Sequence, residues 1–492
     1  MKPISLPFLT IFTYVLLSSS PALGQQAPAI AIENVSIIDI ATGSIGEHRR
    51  VLIEGNRITA ISSAGSEPLL EATQVLDGSG KFLIPGMWDM HAHIGSDEMS
   101  RKSILPMFIA HGVTGLRILQ GDCPEPCDAV DAPIAQIRQW QKDIESSRQI
   151  GPRMFSSSYI VGSSPADPRE TDPWRPSTPD QAQAFVQMEA ARGVNFIKVH
   201  NLVARDVYFA LAAEAQKQQI GLVGHVPGAI TATEASNAGQ ESIEHLFGVI
   251  EECTGGGKQI RDDLRVKLQG DVDLANAALQ EMIRRYDARR CKGLFATFEA
   301  NETWHVPTLI IYNHERVHTW PLDPKNQYVS AKLRDQWLQW QDWELAFFGK
   351  DPDSSKLRNL LGRIVFEMEQ AGVGLLAGTD ANWWGIYPGY SLHEELEQLV
   401  GAGLTPFQAL RTATLNPAIY LNLQNEMGTV EVGKIADLVL LEGNPLDEIR
   451  NTRRIHAVVA NGRLFTKADI EVLSSDVVNY VRDSGFSEAS AH

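Results

Sequence analysis

Phe82-Leu83-Ile84-Pro85-Gly86-Met87-Trp88-Asp89-Met90-His91-Ala92-His93 is the stretch on which the fold turns. An apolar run leads into two histidines spaced two apart, and alternate side chains of a strand share a face, so both imidazoles leave one strand end in the same direction. Two imidazoles so placed can converge on one cation. A lone His-x-His is equally a chance or hydrogen-bonded surface pair, so the rest of the chain has to decide.

Working outward, residues 85–423 alternate apolar β-like runs with helical stretches, the pattern of a parallel α/β sheet or barrel. Strands are predicted at 88–94, 113–119, 153–161, 196–200, 222–226, 242–246, 306–311 and 374–380. Helices at 181–191, 205–218, 231–238 and 392–401 separate several of them, which favours a (β/α)8 TIM-like barrel over an open sheet. Thr405-Pro406 predicts a capped helix start, with a side-chain acceptor followed by a proline at the first helical position. Short β-segments at 29–40 and 50–60 have the same texture as those at 428–441 and 455–465, so both ends of the chain are expected to build one β-domain. Two insertions break the pattern. Residues 163–179, rich in Pro, Ser and Asp, predict an exposed loop, and residues 254–353 carry helical segments near 276–298 and 332–348. The second aligns Leu333, Trp337, Trp340 and Phe347 on one side, which predicts packing onto the barrel rather than a lid.

The 492 residues are 43% hydrophobic and 21% charged, a globular and not a disordered composition. A formal net charge of -17 argues against a nucleic-acid backbone or an anionic membrane surface as partner. Residues 1–24 have the anatomy of a secretory signal: Lys2, an apolar stretch at 6–17, then Ala22-Leu23-Gly24. That stretch is shorter than the ~20 residues of a spanning helix. A secreted or periplasmic protein without a membrane anchor is therefore expected. The four cysteines suit an exported protein with two local bridges, Cys123–Cys127 and Cys253–Cys291, against the alternative of free buried thiols. Asn34-Val35-Ser36 and Asn301-Glu302-Thr303 are glycosylation sequons in a host that uses them.

In a parallel barrel the working side chains stand at the C-terminal ends of the strands. The polar exceptions in this sequence fall there. His91 and His93 end the first predicted strand, Lys198 the fourth, His225 the fifth, His245 the sixth and Asp380 the eighth. Singly, each has a bland reading as a hydrogen-bonded histidine, a snorkelling lysine or a capping aspartate. Jointly, four imidazoles, a carboxylate and a lysine supply the nitrogen and oxygen ligands that Zn2+ prefers.

With these residues in place, the chain resembles the amidohydrolase superfamily, in its imidazolonepropionase-like and Xaa-Pro or Xaa-Arg dipeptidase-like branch. The likeness runs through residues 85–93, Ser242-Ile243-Glu244-His245, Gly378-Thr379-Asp380, Ala413-Thr414-Leu415-Asn416-Pro417-Ala418, residues 433–439 and residues 457–462. It implies a metallohydrolase barrel at 85–423 beside a small β-sandwich from 25–84 and 424–470, which leaves the signal peptide at 1–24 and a C-terminal extension at 471–492 on either side. It further implies two Zn2+ ions, one held by His91, His93 and Asp380 and the other by His225 and His245. Lys198 would bridge them as its carbamate. If Lys198 stays unmodified, one metal on His91, His93, His225 and Asp380 is the better reading.

The expected chemistry is hydrolysis of a C–N bond by a metal-activated hydroxide, with Asp380 as both ligand and proton shuttle. The substrate expected is a dipeptide or an N-acyl amino acid. The alternatives are a lactone, ester or phosphotriester hydrolase on the same ligands, and a catalytically inactive ligand-binding barrel. His200, Arg117, Trp383 and Tyr387, with Trp384 and Tyr390, are candidates for contact with substrate, Arg117 having a buried ion pair as its competing role. His305, His314 and His318 receive no role. A homo-oligomer is compatible with everything above.

Overall fold

The computed structural model of the chain describes residues 29–66, 68–69, 73–95, 98–124, 127, 131–163, 172–255, 272–313, 315–347 and 354–489. The predicted signal at 1–24 lies outside them, as do His314 and much of the 163–179 loop. Among the described residues no helix is long and apolar enough to cross a membrane.

Five strands open the described chain: β1 (Ile30–Ile38), β2 (Ile45–Glu54), β3 (Arg57–Ser63), β4 (Gln74–Asp77) and β5 (Phe82–Pro85). Seven parallel strands follow, β6 (Met87–Ala92), β7 (Val113–Ile118), β8 (Arg153–Ser156), β9 (Phe196–Val199), β10 (Gly221–Gly224), β11 (Gln240–Glu244) and β12 (Trp304–Val306). Near the end come β13 (Leu438–Leu441), β14 (Ile455–Ala460) and β15 (Arg463–Thr466).

Both ends of the chain meet in one sheet of order β15-β14-β13-β5-β1-β2-β3, with β4 beside β1. The joint is antiparallel β13 on β5, with Leu440 opposite Leu83. Period-two alternation gives this sheet two apolar faces. Leu83, Leu438 and Leu440 share a core with Ile30, Ile32, Val51 and Ile53, while Ile84, Val439 and Leu441 face the barrel core. The strands hydrogen-bond as a single sheet, where the resemblance led to the expectation of a two-layered sandwich. Asn461 (φ +48°) and Gly462 (φ +73°) turn β14 into β15, the left-handed pair that a two-residue hairpin requires.

The parallel strands form two sheets, β6-β7-β8 and β9-β10-β11-β12. Parallel bridges Ser157–Phe196 and Val161–Val199 join β8 to β9. On the opposite side, residues near 375–381 bridge β12 through His305–Leu375 and β6 through Ala92–Ala381. A mixed α/β, TIM-like arrangement results. Three predicted strands depart from the sequence expectation by more than a residue or two. The predicted strand 306–311 stops at Val306, because Pro307 has no N–H to donate and Thr308 turns to φ +46°, after which Leu309–Tyr312 is a 3-10 helix. In 153–161 the regular ladder ends at Ser156, where Ser157 and Ser158 spend their hydroxyls on neighbouring carbonyls. The predicted strand 374–380 contributes only bridges. Gly378 allows this segment to close on β6, since a Cβ there would lie 2.8 Å from His91 N.

Helix ends follow local chemistry. Thr405 and Gln408 form a reciprocal capping box at the start of the helix Pro406–Thr412. In the long insertion, the helix Ala331–Phe347 buries Leu333 and Trp337 against Trp320, Val329, Trp384 and Tyr387. It therefore packs on the loop that follows Asp380; Trp340 and Phe347 lie outside the described side chains. Cys123 is bonded to Cys127 and Cys253 to Cys291, with Cα atoms 5.6 and 4.9 Å apart.

Candidate metal centre

At the C-terminal end of β6, one ligand atom from each of His91, His93 and Asp380 falls within 4.8 Å of the others. Asp380 Oδ1 lies 2.9 Å from His93 Nε2 and 3.3 Å from His91 Nε2. Two backbone bonds lock this corner: Asp380 N donates to His91 O at 2.8 Å, and His93 N to Ala381 O at 2.6 Å. His245 approaches from β11, its Nε2 4.0 Å from Asp380 Oδ2 and its ring 4.6 Å from that of His91. His225 stands beyond it, with ring centroids 5.0 Å from His245 and 4.0 Å from His200.

The remaining ring nitrogens are held from behind. His91 Nδ1 lies 2.8 Å from the Glu244 carboxylate, so it carries the proton and donates. His225 Nδ1 likewise donates to Asn201 Oδ1 at 2.8 Å. His245 Nδ1 lies 2.6 Å from Thr308 Oγ1, whose own hydroxyl donates to Pro307 O. In all three rings the Nε2 atom is left with a lone pair. His91 Nε2 and His245 Nε2 thus face the Asp380 carboxylate acceptor to acceptor, an arrangement that calls for a cation between them. The donor set fits a divalent metal.

Electrostatics agree. Burial lowers the pKa of His93, and it drives His225 and His245 well below the ordinary histidine range, so these rings are neutral, the form that binds metal. Burial would raise Asp380, but positive charge and N–H donation from the surrounding imidazoles, a role that a bound cation would take over from neutral rings, hold the carboxyl well below its usual value. Lys198, 1% exposed, is pushed by burial down to about 8, against the pull of Glu244 and Asp380. Backbone strain gathers here as well: His245, Leu246, Thr308 and Asp380 all have positive φ without being glycine.

The structure thus gathers His91, His93 and Asp380 tightly, brings His245 against them, and sets His225 one ring further out. The substrate candidates separate. Arg117 is fully buried, donating to Met90 O, Ser242, Tyr420 and Glu244, which is its competing ion-pair role and commits four of its five N–H groups inside the barrel. Tyr387 is 2% exposed and donates to Asn326 within the aromatic cluster of the insertion, so it packs the mouth loop rather than lining a cavity. Trp383 is partly buried beside the same cluster. His200 stacks near His225, with its pKa lowered by burial to about 3 and, among the described residues, no partner for Nδ1. Sequence reasoning passed over Glu244, Asn201 and Thr308. Glu244 was within reach, since it adjoins His245 in the matched motif.

A model of the amidohydrolase family matches residues 362–465. The chain is similar to adenine deaminase of Clostridium botulinum (strain 657 / Type Ba4), with 20% identity over 473 residues, covering 95% of this chain. It spans only 62% of that relative's length. Among solved structures it is similar to bottromycin amidohydrolase, with a TM-score of 0.69, 23% identity, and coverage of 92% of this chain and 90% of the other. A Xaa-Pro dipeptidase with methionine bound in its active site gives a TM-score of 0.63 at 18% identity, covering 89% of this chain and 100% of the other. At these identities the structural likeness speaks for the fold.

Proposed function

We propose that this chain, which belongs to the amidohydrolase superfamily, is a metal-dependent hydrolase of a C–N bond in a small substrate, a dipeptide or an N-acyl amino acid. The observation that carries the reading is the acceptor-to-acceptor meeting of His91 Nε2, His245 Nε2 and the Asp380 carboxylate, each imidazole fixed from behind as a lone-pair donor. His91, His93 and Asp380 would hold one ion, and His225 and His245 a second, with Zn2+ the natural choice for such ligands. A divalent cation held there supplies Lewis acidity that brings the pKa of water from 15.7 to about 7 and polarises a carbonyl.

The chain's own residues supply the rest. Asp380 takes a proton from the attacking water on a carboxylate oxygen and returns it to the departing nitrogen. Its depressed pKa keeps that oxygen unprotonated at the start of the cycle. Lys198 would serve as a ligand to both ions only as its carbamate, formed when its neutral amine adds CO2 and releases a proton. A cationic ammonium could not ligate, and the burial that lowers its pKa raises the fraction able to react. The opening residues and the two disulfides support an exported enzyme.

The test is a side-by-side assay of purified protein on dipeptides, N-acyl amino acids, lactones, aryl phosphotriesters and adenine. Turnover of the first two classes is expected. Activity confined to the others would overturn the substrate reading, and activity on adenine alone would align the chain with the deaminase relatives.

A further inference from the structure

Glu395 sits on the helix Tyr390–Gly401, fully buried, inside the span that the family model matches but outside the short motifs that carry the resemblance. Its two carboxylate oxygens accept the backbone N–H groups of Leu309 (2.9 Å) and Ile310 (2.7 Å). Those groups begin the 3-10 helix Leu309–Tyr312, directly behind Thr308. Thr308 holds φ +46° and ψ +49°, a left-handed conformation that a β-branched residue keeps only when its surroundings impose it.

The strained turn has a chemical consequence. Thr308 Oγ1 lies 2.8 Å from Pro307 O, which can only accept, and 2.6 Å from His245 Nδ1; with its single proton given to the carbonyl, it presents lone pairs toward the imidazole. In that arrangement His245 carries its proton on Nδ1 and turns the Nε2 lone pair toward Asp380, 4.0 Å away. The same turn holds His245 a second time, through Tyr312 Oη donating to His245 O at 2.8 Å. Burial pushes the Glu395 pKa up to about 8 while the two backbone donors favour its charged form, and this carboxyl group, 85 residues beyond Ile310 in sequence, thereby bears on one imidazole of the candidate metal centre.

We propose that Glu395 is a positioning residue: by pinning the Leu309–Ile310 turn it keeps Thr308 left-handed, and through Thr308 it sets the tautomer and direction of His245. The functional weight of this rests on His245 being a metal ligand, whereas the tautomer itself does not.

The experiment reads the ring nitrogens of the metal-free full chain by NMR with 15N-labelled histidine, the His245 signals being identified by their loss in His245→Gln. Wild type should show His245 protonated at Nδ1. Glu395→Gln, which turns an amide N–H toward a backbone N–H, and Thr308→Val, which removes the acceptor, should both show mixed tautomers, while Thr308→Ser keeps the wild-type form. Zn2+ titration should show affinity falling about 10- to 100-fold in the first two variants, with little further loss when they are combined. If Glu395→Gln lowers thermal stability yet leaves the tautomer and Zn2+ affinity unchanged, the residue is only structural and the proposal fails. Should that variant not fold, Glu395→Asp, one methylene shorter, is read by the same criteria. If the tautomers shift as stated but wild type binds no Zn2+, the metal reading fails while the positioning role stands.

Discussion

His91 and Glu244 are joined by an Nδ1–H to carboxylate hydrogen bond of 2.8 Å, and the other oxygen of Glu244 accepts from Arg117 Nη2 at the same distance. One buried carboxylate therefore orients a metal-facing imidazole and neutralises a fully buried guanidinium. Burial alone would raise Glu244, yet Arg117 and His91 hold it well below the usual carboxylate range.

Arg117→Leu should destabilise the protein by about 3–5 kcal/mol, because it leaves the Glu244 charge buried and unbalanced. Urea unfolding followed by circular dichroism measures this. A midpoint equal to that of wild type would show that the pair is not the anchor described.

Asp380→Asn should fold and retain much of the His91–His93 corner, since the backbone bond from residue 380 N to His91 O does not need the side-chain charge. Turnover should fall about 10²- to 10⁴-fold, the range for loss of a positioned proton acceptor. Wild-type kcat would refute the shuttle.

Lys198→Ala should reduce the bound metal from two ions per chain to one, and short carboxylic acids added to the variant should restore part of the activity. Elemental analysis of both proteins decides this. Unchanged metal content would leave the single-ion alternative.

His305 is fully buried against Phe298, with ring centroids 4.4 Å apart, and among the described residues neither ring nitrogen has a hydrogen-bond partner. Burial lowers its pKa to about 3. The unfolded chain binds this proton near pH 6.5, so the folded state is fully favoured above that value and loses stability as pH falls from about 6.5 toward 3. His305→Leu should raise stability by about 1–3 kcal/mol at pH 7 by removing two unsatisfied polar atoms, and should flatten the acid limb. Thermal unfolding at pH 7 and pH 5 tests both effects. A variant with lower stability and the same acid slope would contradict them.

Much of the site could be read in the sequence because its chemistry sits at strand ends. Period-two spacing puts His91 beside His93, and the parallel α/β pattern puts Lys198, His225, His245 and Asp380 at the same end. What stayed hidden depends on partners chosen in three dimensions. Arg117 could be a substrate ligand or an ion pair until Glu244, 127 residues away, was seen against it. Tyr387 looked like mouth lining until Trp337 of the insertion was found packed on it. The short β12 was signalled by Pro307, but the left-handed Thr308 is visible only in the backbone it adopts.

The most direct measurement is elemental analysis of the chain expressed with Zn2+, beside His91→Ala and Asp380→Asn. The account predicts stoichiometric divalent metal in the wild type and a marked loss in His91→Ala. A wild-type protein without stoichiometric metal would contradict it.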